Sequence, residues 1–444
     1  RKSIMSKPIV DKNARFLVKG GKPLHGTIRI SGAKNAASKL IIASLLTDEP
    51  VTITNCPVSI GEILVTRKIL EALGAKFRKF RDNEVIVQTK KIHEISFSSS
   101  LGLINRIGVL TAGPLLLRVG EARIPKPGGD QIGARPINFH LDALIKLGAT
   151  VKENKDSYTL KAKRLIGTDI TLPFPSVGAT ENIIITASLA IGKTTIHNAA
   201  IEPEIMDMIM LLQKMGAIID VKTDRTIVIT GVEKLNGAKH SVIPDRLEAA
   251  SFACAAIASK GDITILDARH ADMITFLNTI RLIGAEYEVL KNGIRFYYKG
   301  DLKPISIETD VHPGFMTDWQ PPMTILLTQT NGISTIHESV YENRFGYIKE
   351  LNKMGASIEL TNDCLGSPCR FHGSSYYHSA IIKGKTQLHP AEIIVPDIRA
   401  GFSYLVAAIL AKGETLVHGI HYIDRGYERI DAKMRKLGVN IRRI

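Results

Sequence analysis

The chain has 444 residues, 44% of them hydrophobic and 23% charged, which is a globular composition long enough for more than one core. No apolar run approaches the roughly 18 residues of a membrane-spanning helix, so no membrane partner is expected. The formal net charge of +15 suits binding to a polyanion, binding to an acidic small molecule, or simply a surface adapted to the cytosol. No aromatic RNA-binding run, zinc finger or basic helix accompanies that charge, so a nucleic-acid partner is not expected.

The four cysteines, Cys56, Cys254, Cys364 and Cys369, are too few for a disulfide framework and form no C-x-x-C pair. We expect reduced thiols, with Cys364 and Cys369 on either side of a Gly-Ser-Pro turn. The basic residues at the N-terminus precede no apolar stretch, which argues against a secretory signal. The sequence contains no H-E-x-x-H, P-loop, G-x-S-x-G or local Cys/His metal spacing, so neither a metal nor a cofactor is expected.

In chain order, the predicted elements repeat. An amphipathic helix ends at a glycine, which can adopt the left-handed conformation that closes a helix, and an alternating strand follows. The repeated glycines are Gly74, Gly148, Gly216, Gly284, Gly355 and Gly438, at spacings of 74, 68, 68, 71 and 83 residues. An alanine-rich apolar helix also recurs, and its lack of a polar face predicts burial.

Six units of about 70 residues are too small to be separate domains, so they must share cores. Three units per core gives two α/β domains. A solenoid is the alternative for any repeat, but units of this size exceed typical solenoid repeats.

Three polar segments interrupt the repeat. In residues 31–36, Lys34 is placed to meet an anion at a helix N-terminus. Residues 125–136 are rich in glycine and proline and predict a mobile irregular loop. In residues 423–430, Asp424 is predicted to cap the helix that ends at Leu437, with Arg425 in its first turn. The competing interpretations are a solvent-facing lysine, a polar hairpin connection and a capped surface helix.

Further acidic and basic residues occur close together. Asp318 precedes two prolines and an apolar helix, so simple N-capping explains it as well as chemistry does. Glu342 with Arg344, and Asp397 with Arg399, are candidate structural ion pairs. Because arginine binds phosphate and carboxylate through a two-pronged fork, these residues together indicate a small, densely anionic substrate.

Seven motifs in order carry a family resemblance. They are S-G-A-K-N-A (31–36), P-G-G-D-x-I-G-A-R-P (127–136), S-V-G-A-T (176–180), P-D-R-x-E (244–248), H-P-x-F-x-T-D (312–318), E-N-R-F (342–345) and I-D-R-G-Y-E-R-I (423–430). Together they closely resemble the UDP-N-acetylglucosamine 1-carboxyvinyltransferases over about residues 14 to 444. These MurA-type enzymes carry out the first committed step of peptidoglycan synthesis.

The resemblance implies a fold of two inverted α/β barrels, each built from three like units. One domain would comprise residues 1–33 with 245–444, and the other residues 34–244 with the catalytic loop at 125–136. The same likeness implies a cytoplasmic monomer that uses no metal or cofactor.

The resemblance also implies a reaction. The enolpyruvyl group of phosphoenolpyruvate would pass to the 3′-hydroxyl of UDP-N-acetylglucosamine by addition and elimination, with release of phosphate. Asp318 matches the aspartate proposed to take the hydroxyl proton, and Asp130 is the loop tip. The positions matching catalytic residues are Asp130, Asp318, Lys34, Arg399 and Arg425. Those matching phosphoenolpyruvate contacts are Lys34, Asn35, Arg135, Arg399 and Arg425. Those matching UDP-sugar contacts are Arg106, Arg135, Pro136, Ile137, Asn138, Phe139, Phe174, Pro175, Ser176, Val177, Asp318 and Val340.

The chain departs from the usual family pattern at several positions. The loop tip is usually cysteine, but here it is Asp130, as in some other members. Fosfomycin inactivates typical members by alkylating that thiol, so resistance is expected. Asn138 replaces a common aspartate. Phe174 replaces a frequent lysine, and residues 58–62 contain no lysine, so these last two departures remove cations near the ligand.

Three other interpretations remain. An EPSP synthase-like enzyme would need a G-N-A-G-T type phosphate loop, which is not found. An RNA-binding or RNA-end-processing relative fits the basic charge but lacks RNA and nucleotide motifs. A catalytically silent paralogue is disfavoured by the intact Lys34, Arg135, Asp318, Arg399 and Arg425.

Overall fold

The computed structural model describes residues 13–128, 137–366 and 369–444. For Arg399 it describes the backbone but not the side chain. These residues form a mixed α/β fold that divides into two compact units. The terminal unit comprises residues 13–31 and 244–444, and the central unit comprises residues 32–128 and 137–243. The predicted site residues Asp130, Arg135 and Pro136 lie outside the described residues.

The terminal unit begins with β1 (Phe16–Gly20) and β2 (His25–Arg29). The strands of the central unit are β3 (Val51–Thr54), β4 (Lys76–Arg81), β5 (Glu84–Gln88), β6 (Glu121–Pro125), β7 (Thr150–Glu153), β8 (Ser157–Lys161), β9 (Asp169–Thr171), β10 (Lys193–His197), β11 (Ile218–Val221), β12 (Ile227–Thr230) and β13 (Lys239–Ser241). Its helices are α1 (Lys34–Ala43), α2 (Gly61–Leu73), α3 (Ser99–Gly102), α4 (Ala112–Val119), α5 (Asn138–Lys146), α6 (Val177–Ala187) and α7 (Pro203–Lys214), with 3₁₀ turns at Ser44–Leu46 and Ile107–Thr111.

The chain then returns to the terminal unit. Its remaining strands are β14 (Asp262–Leu266), β15 (Glu286–Leu290), β16 (Gly293–Tyr297), β17 (Ser306–Glu308), β18 (Ile333–His337), β19 (Ser357–Thr361), β20 (Ser379–Lys383), β21 (Glu392–Ile394), β22 (Gly413–His418) and β23 (Asn440–Arg443). Its helices are α8 (Arg246–Ala258), α9 (Ile274–Leu282), α10 (Gln320–Leu327), α11 (Ile348–Lys353), α12 (Ile398–Leu410), α13 (His421–Gly426) and α14 (Ile430–Lys436), with 3₁₀ turns at His270–Asp272 and Thr317–Trp319.

Small open sheets form the frame of each unit. In the described residues the central unit has sheets ordered β11-β12-β10-β9, β13-β3-β5-β4 and β6-β8-β7, and the terminal unit has β21-β22-β1-β23, β15-β16-β14-β2 and β17-β18-β20-β19. Each four-stranded sheet has one parallel edge pair, such as β9 with β10, and is otherwise antiparallel. Within this part of the chain no sheet closes into a barrel.

Alanine-rich helices fill the core of each unit, as their sequence predicts. Every residue of α8 is buried, because the helix has no polar face to present to water. In the terminal unit Phe252 of α8 meets Phe402 of α12 edge to face, with ring centroids 4.9 Å apart. Burying one such side chain contributes about 1.5–3 kcal/mol. In the central unit most residues of α1 and α6 are also buried.

The prediction that six glycines end helices in a left-handed conformation is confirmed. All adopt positive φ, with values of 112° at Gly74, 109° at Gly148, 109° at Gly216, 90° at Gly284, 95° at Gly355 and 90° at Gly438. At the end of α2, the Gly74 N–H donates to the Glu71 carbonyl and the Ala75 N–H donates to the Leu70 carbonyl. The strand predicted after Gly355 is β19.

The prediction that residues 125–136 are irregular is wrong at the first residue. Pro125 ends β6, where it pairs with Ser157 of β8. A proline is accepted there because it is the last residue of an edge strand.

No helix in the described ranges has the length and hydropathy needed to cross a lipid bilayer.

Candidate functional site

Asp318 of the terminal unit is held by a buried arginine. Its carboxylate is 20% exposed and accepts a hydrogen bond from Arg344 Nη2 over 3.2 Å, whereas the Arg344 side chain is only 1% exposed. Arg344 Nη1 lies 3.5 Å from Asp397 Oδ1. Burial alone would lower the pKa of Arg344, but Asp397, Asp318 and Glu338 together raise it. A charged, fixed guanidinium therefore orients Asp318.

Glu338 organises the loop after β18. Its Oε1 accepts the backbone N–H groups of Val340 and Tyr341 over 2.9 and 3.1 Å, and its Oε2 accepts the Thr317 hydroxyl over 2.9 Å. Burial raises the pKa of Glu338, against the opposing charge of Arg344. This fully buried carboxylate thus ties the Val340 loop to the turn that carries Asp318.

The predicted ion pair between Glu342 and Arg344 is wrong, for a geometric reason. Arg344 points inward to Asp318 and Asp397, while Glu342 lies 3.6 Å from Arg370 Nη2 instead. Asp397 accepts the Ala400 N–H over 2.9 Å at the start of α12, and its predicted pairing with Arg399 stays a prediction. The side chain of Arg399 lies outside the described residues.

The N-capping interpretation of Asp318 is also wrong. The N-cap residue of α10 is Trp319, and Asp318 lies one residue earlier, in the 3₁₀ turn. Its carboxylate is engaged by Arg344 rather than by the backbone of the helix.

Arg425 lies beside the first turn of α12. It is in α13 and is buried, and the next residue, Gly426, packs so closely on Ile398 that a Cβ there would overlap the Ile398 side chain. The guanidinium of Arg425 also lies 5.9 Å from the Tyr422 ring centroid. The fold therefore brings Arg425 close to the backbone that carries Arg399.

The prediction for Asp424 is wrong. The segment forms two helices rather than one, and α14 begins after Arg429, whose φ is 49°. Asp424 therefore lies inside α13, where it accepts two hydrogen bonds from Arg443, of 2.8 and 2.7 Å. Arg425 lies in the last turn of that short helix and not in the first turn of α14.

Ser31, the last residue of the first terminal segment, is held by two buried carboxylates. Its hydroxyl donates to Glu428 over 2.9 Å, and its N–H donates to Glu248 over 3.2 Å. Lys433 Nζ bonds to Glu248 and donates to the Ser31 hydroxyl over 2.8 Å. Burial raises the pKa of Glu248, and Lys433 opposes this shift. This network fixes the backbone at Ser31.

In the central unit, Lys34 and Asn35 are the first two residues of α1, as predicted. The Ala33 N–H is bonded to the Ile243 carbonyl, and the first turn of the helix contains no acidic residue. The N–H groups of such a turn favour a nearby anion. Gly32 precedes this turn and lies so close to the Asn55 carbonyl that no Cβ would fit.

Arg106 is positioned by its neighbour Asn105. Asn105 is buried, donates to Glu62 Oε2 over 2.8 Å and accepts the Ile107 N–H over 3.2 Å. Arg106 therefore precedes a rigid 3₁₀ turn. Glu62 belongs to the segment in which family members often carry a lysine.

His140 links several of the predicted UDP-sugar residues. Desolvation, followed by the charge of Arg106, lowers the pKa of His140 to about 3, so the ring is neutral. His140 Nδ1 lies 3.2 Å from Asn182 Nδ2, and a Cβ on Gly178 would lie 3.1 Å from the imidazole. The start of α5, with Asn138 and Phe139, is thereby held against the start of α6.

The start of α6 is a capped helix terminus. Ser176 Oγ accepts the Ala179 N–H over 3.4 Å, and the Ser176 N–H donates to the Phe174 carbonyl over 2.7 Å. Phe174, Pro175, Ser176 and Val177 are half-buried, and Ile137 is buried. The described central unit therefore brings Arg106, the start of α5 and the start of α6 together.

One group of candidate ligand side chains lies apart from all the predicted site residues. Ligand atoms of His337, Cys369 and His378 all lie within 4.8 Å of one another in the terminal unit. No local spacing indicates this group, because His337 comes from a separate strand. Antiparallel pairing of β18 with β20 could have suggested it, since that pairing sets His337 opposite Ser379.

Sequence comparison places these features in a family. The family EPSP synthase (3-phosphoshikimate 1-carboxyvinyltransferase) matches residues 18–434. The UDP-N-acetylglucosamine 1-carboxyvinyltransferase of Protochlamydia amoebophila is 47% identical over 433 residues, covering 96% of this chain and 93% of the relative. That of Chlamydia trachomatis serovar D is 44% identical over 428 residues, covering 95% and 96%. The chain belongs to the UDP-N-acetylglucosamine 1-carboxyvinyltransferase family.

Solved structures support the fold of this family member. The enolpyruvyl transferase NikO from Streptomyces tendae superposes with a TM-score of 0.86 at 23% identity, covering 98% of this chain and 99% of that chain. EPSP synthase from Acinetobacter baumannii superposes with a TM-score of 0.75 at 17% identity, covering 97% and 100%. At these identities the likeness is one of fold.

Proposed function

We propose that the chain transfers the enolpyruvyl group of phosphoenolpyruvate to the 3′-hydroxyl of UDP-N-acetylglucosamine and releases phosphate. The observation that carries this proposal is Asp318, a partly exposed carboxylate held by the buried Arg344. A base must stay within reach of the proton it removes, and a fixed guanidinium keeps it in place. The names of relatives more than 40% identical over nearly the whole chain support the same reaction.

The proposed reaction has two steps. In the addition, O3′ of the sugar bonds to C2 of phosphoenolpyruvate, Asp318 takes the hydroxyl proton, and C3 gains a proton. In the elimination, the C2–O bond to phosphate breaks, the Asp130 carboxylate left by the addition takes a proton back from C3, and the double bond forms again. We assign the protonation of C3 to Asp130. No metal or cofactor is needed to balance either step.

Phosphoenolpyruvate carries a phosphate and a carboxylate, so its site must be cationic. We assign its binding to Lys34, Asn35, Arg135, Arg399 and Arg425. In the central unit, the first turn of α1 supplies Lys34 together with helix N–H groups. In the terminal unit, the close packing of Gly426 on Ile398 supports a shared role for Arg425 and Arg399. Fixed cations would also stabilise charge that develops during the addition.

We assign UDP-N-acetylglucosamine binding to residues of each unit. The central set is supported by His140, which lies between the starts of α5 and α6 and is affected by Arg106. The capped start of α6 suits a phosphate. The set comprises Arg106, Arg135, Pro136, Ile137, Asn138, Phe139, Phe174, Pro175, Ser176 and Val177 in the central part of the chain and Asp318 and Val340 in the terminal unit.

We further propose that the six sheets correspond to six repeated units arranged as two inverted α/β barrels, with domains at 1–33 plus 245–444 and at 34–244. Support comes from the recurring parallel edge pair and from the positive-φ glycine that ends one helix in each predicted unit. A cytoplasmic monomer is also proposed. The four cysteines are free thiols, which suits a reducing compartment.

Phosphate release tests the proposal directly. The purified protein is incubated with phosphoenolpyruvate and UDP-N-acetylglucosamine, and inorganic phosphate is measured against reactions that lack one substrate. Release that requires both substrates is the expected result. Release with shikimate 3-phosphate in place of the UDP-sugar would overturn the substrate assignment. Clean ligand binding without release would identify a catalytically silent paralogue.

A further inference from the structure

We propose that one Zn²⁺ ion binds in the terminal unit to His337, Cys369, His378 and Cys364. The ligand atoms of the first three lie within 4.8 Å of one another. His337 ends β18, and His378 immediately precedes β20, which pairs with β18. Both histidines are fully buried, and their rings are packed with centroids 5.4 Å apart. The sheet thus presents two imidazoles from neighbouring strands.

Hydrogen bonds fix the tautomer of each histidine. His378 Nδ1 lies 2.8 Å from the Tyr376 carbonyl, which can only accept, so Nδ1 carries the hydrogen. The Ser379 hydroxyl donates to the Asp363 carbonyl over 2.7 Å, so it accepts from His337 Nδ1 at 3.0 Å. In both rings Nε2 is therefore the nitrogen that carries no hydrogen. Metal-bound histidines are oriented by this same kind of outer hydrogen bond.

The Nε2 atom of His337 is a buried polar atom in need of a partner. It is buried and has no hydrogen-bond partner among the described residues. Buried polar atoms are almost always satisfied, so an orphan lone pair beside a thiol and a second imidazole suggests a bound cation. Gly366 lies against this ring, and a Cβ there would overlap it, so the segment that immediately follows Cys364 lies against the site.

Cys364 completes the donor set. Its Sγ lies 3.5 Å from His378 Nε2. Tetrahedral zinc, with Zn–N near 2.0–2.1 Å and Zn–S near 2.3 Å, needs ligand atoms roughly 3.3–3.8 Å apart. The three donors that lie within 4.8 Å of one another, and Cys364 beside His378, must therefore move closer together around the ion, and both thiols must lose their protons.

The donor chemistry favours zinc over other occupants. Two thiolates with two imidazoles form a common closed structural zinc set, whereas magnesium and calcium prefer oxygen ligands. A disulfide between Cys364 and Cys369 is the competing state, but it would leave both histidine Nε2 lone pairs unexplained. His372 is a competitor for the fourth position, because its Nδ1 lies 3.4 Å from Cys364 Sγ, but its side chain is exposed.

The site has a structural consequence for the Val340 loop. Arg370 follows Cys369, and its Nη1 donates to the Val340 carbonyl over 3.1 Å while its Nη2 lies 3.6 Å from Glu342. A metal that holds Cys369 therefore also holds Arg370 against this loop. The ion is structural in this proposal and takes no part in the transfer reaction.

Metal analysis of the full-length protein tests the proposal. The protein is purified without chelators, incubated with Zn²⁺, dialysed and measured by inductively coupled plasma mass spectrometry. About one zinc ion per chain is expected. After exchange into Co²⁺, a thiolate-to-cobalt charge-transfer band and intense tetrahedral visible bands are expected. Cys369→Ser and His337→Ala should reduce bound zinc to background.

Matched variants separate ligand loss from misfolding. Cys254→Ser removes a buried thiol in α8, and His372→Ala removes the exposed competitor, and both should retain the metal of the wild type. Circular dichroism and melting temperature show whether each variant is folded. Because Cys369 is only half-buried, Cys369→Ser gives a folded variant if His337→Ala does not.

Three results would overturn the proposal. Zinc at background in the wild type after incubation is the first. The second is titration of only two thiols in denaturant without reductant, which identifies the disulfide. The third is zinc loss in His372→Ala with retention in Cys364→Ser, which assigns the fourth position to His372. None of these readouts depends on enolpyruvyl transfer, so they are independent of the proposed function.

Discussion

Arg344 Nη2 lies 3.2 Å from Asp318 Oδ1 while Arg344 Nη1 lies 3.5 Å from Asp397 Oδ1, so one buried guanidinium spans two carboxylates from different parts of the terminal unit. Breaking a buried ion pair by removing one partner typically costs 3–5 kcal/mol, because a buried charge remains unpaired. Such an arrangement resists reorientation. It therefore suits a carboxylate that must hold one geometry through a reaction.

Asp318→Asn tests the proposed base. The amide keeps the size of the side chain and an oxygen that accepts from Arg344, but it cannot take the hydroxyl proton. We expect kcat to fall by about 10²–10⁴-fold, the range of general-base contributions, with little change in ligand affinity. Phosphate release gives kcat, and calorimetry gives the affinity. A loss of less than about tenfold would remove Asp318 from the role of base.

Arg344→Lys tests whether the positioning needs the fork of a guanidinium. Lysine keeps the charge, but a single ammonium cannot bond both carboxylates in the same geometry. Small misplacements of a reacting group cost up to about 10²-fold, so we expect a kcat loss of roughly 10–100-fold. Arg281→Lys is the control, because Arg281 pairs with Glu286 over 2.8 Å on an exposed surface. Equal kinetics in both variants would contradict a positioning role for Arg344.

The sequence predicted the elements whose cause is local. Gly74 ends α2 with φ of 112° because a left-handed residue closes a helix, and this needs only the apolar period and one glycine. The buried α8 is predictable because Arg246 to Ala258 offers no polar stripe. The mixed α/β class follows from the same patterns.

The sequence failed where partners are distant along the chain. Glu342 was paired with Arg344 because they are neighbours, but the backbone turns Arg344 inward to Asp318 and Asp397. The His337–Cys369–His378 group has no local spacing, since only the pairing of β18 with β20 brings the histidines together. Asp424 was misassigned because a break at Arg429 splits one apparent helix into two.

Glu181 makes the stability of the central unit depend on pH. Desolvation raises its pKa from 4.5 to about 7, and Lys39 only partly opposes this while Glu202 and Glu204 add to it. The folded state therefore holds the proton more tightly than the unfolded state. The contribution of protonated Glu181 to the free energy of unfolding is full below the unfolded pKa of 4.5. This contribution is lost as pH rises through about 7.

Glu181→Gln removes this titration. Relative to the variant, the wild type should lose about 3 kcal/mol of unfolding free energy as pH rises from 4.5 to about 7. Urea unfolding followed by circular dichroism at each pH measures the difference. Glu153→Gln, at an exposed glutamate paired with Lys126, is the control and should show no such loss. A constant difference between wild type and Glu181→Gln across the window would contradict the prediction.

The helix-ending glycines offer a matched pair in the central unit. Gly74 and Gly216 have similar φ, 112° and 109°, but different surroundings. A Cβ at Gly216 would meet only Asn236 Nδ2 at 3.8 Å, whereas one at Gly74 would meet the Lys91 carbonyl at 2.8 Å and His93 at 2.7 Å.

We expect Gly216→Ala to cost about 1–2 kcal/mol from backbone strain alone. Gly74→Ala should cost a further roughly 1–3 kcal/mol because the backbone carbonyl cannot move aside. Chemical unfolding of both variants measures the difference. Equal costs would mean that the loop at Lys91 yields easily, and a smaller cost at Gly74 would contradict the steric argument.

Asp130→Cys tests the consequence of the loop-tip residue. By the family resemblance, fosfomycin alkylates a thiol at this position, and a carboxylate is a poorer nucleophile than a thiolate. We expect the wild type to keep its activity after incubation with fosfomycin and the variant to lose it with time. The four native cysteines serve as internal controls, since they are present in both proteins. Addition of one fosfomycin mass at residue 130 of the variant, located by peptide mass spectrometry, ties the loss to that thiol. Rapid inactivation of the wild type would show that Asp130 does not protect the enzyme, and would direct attention to another nucleophile in the chain.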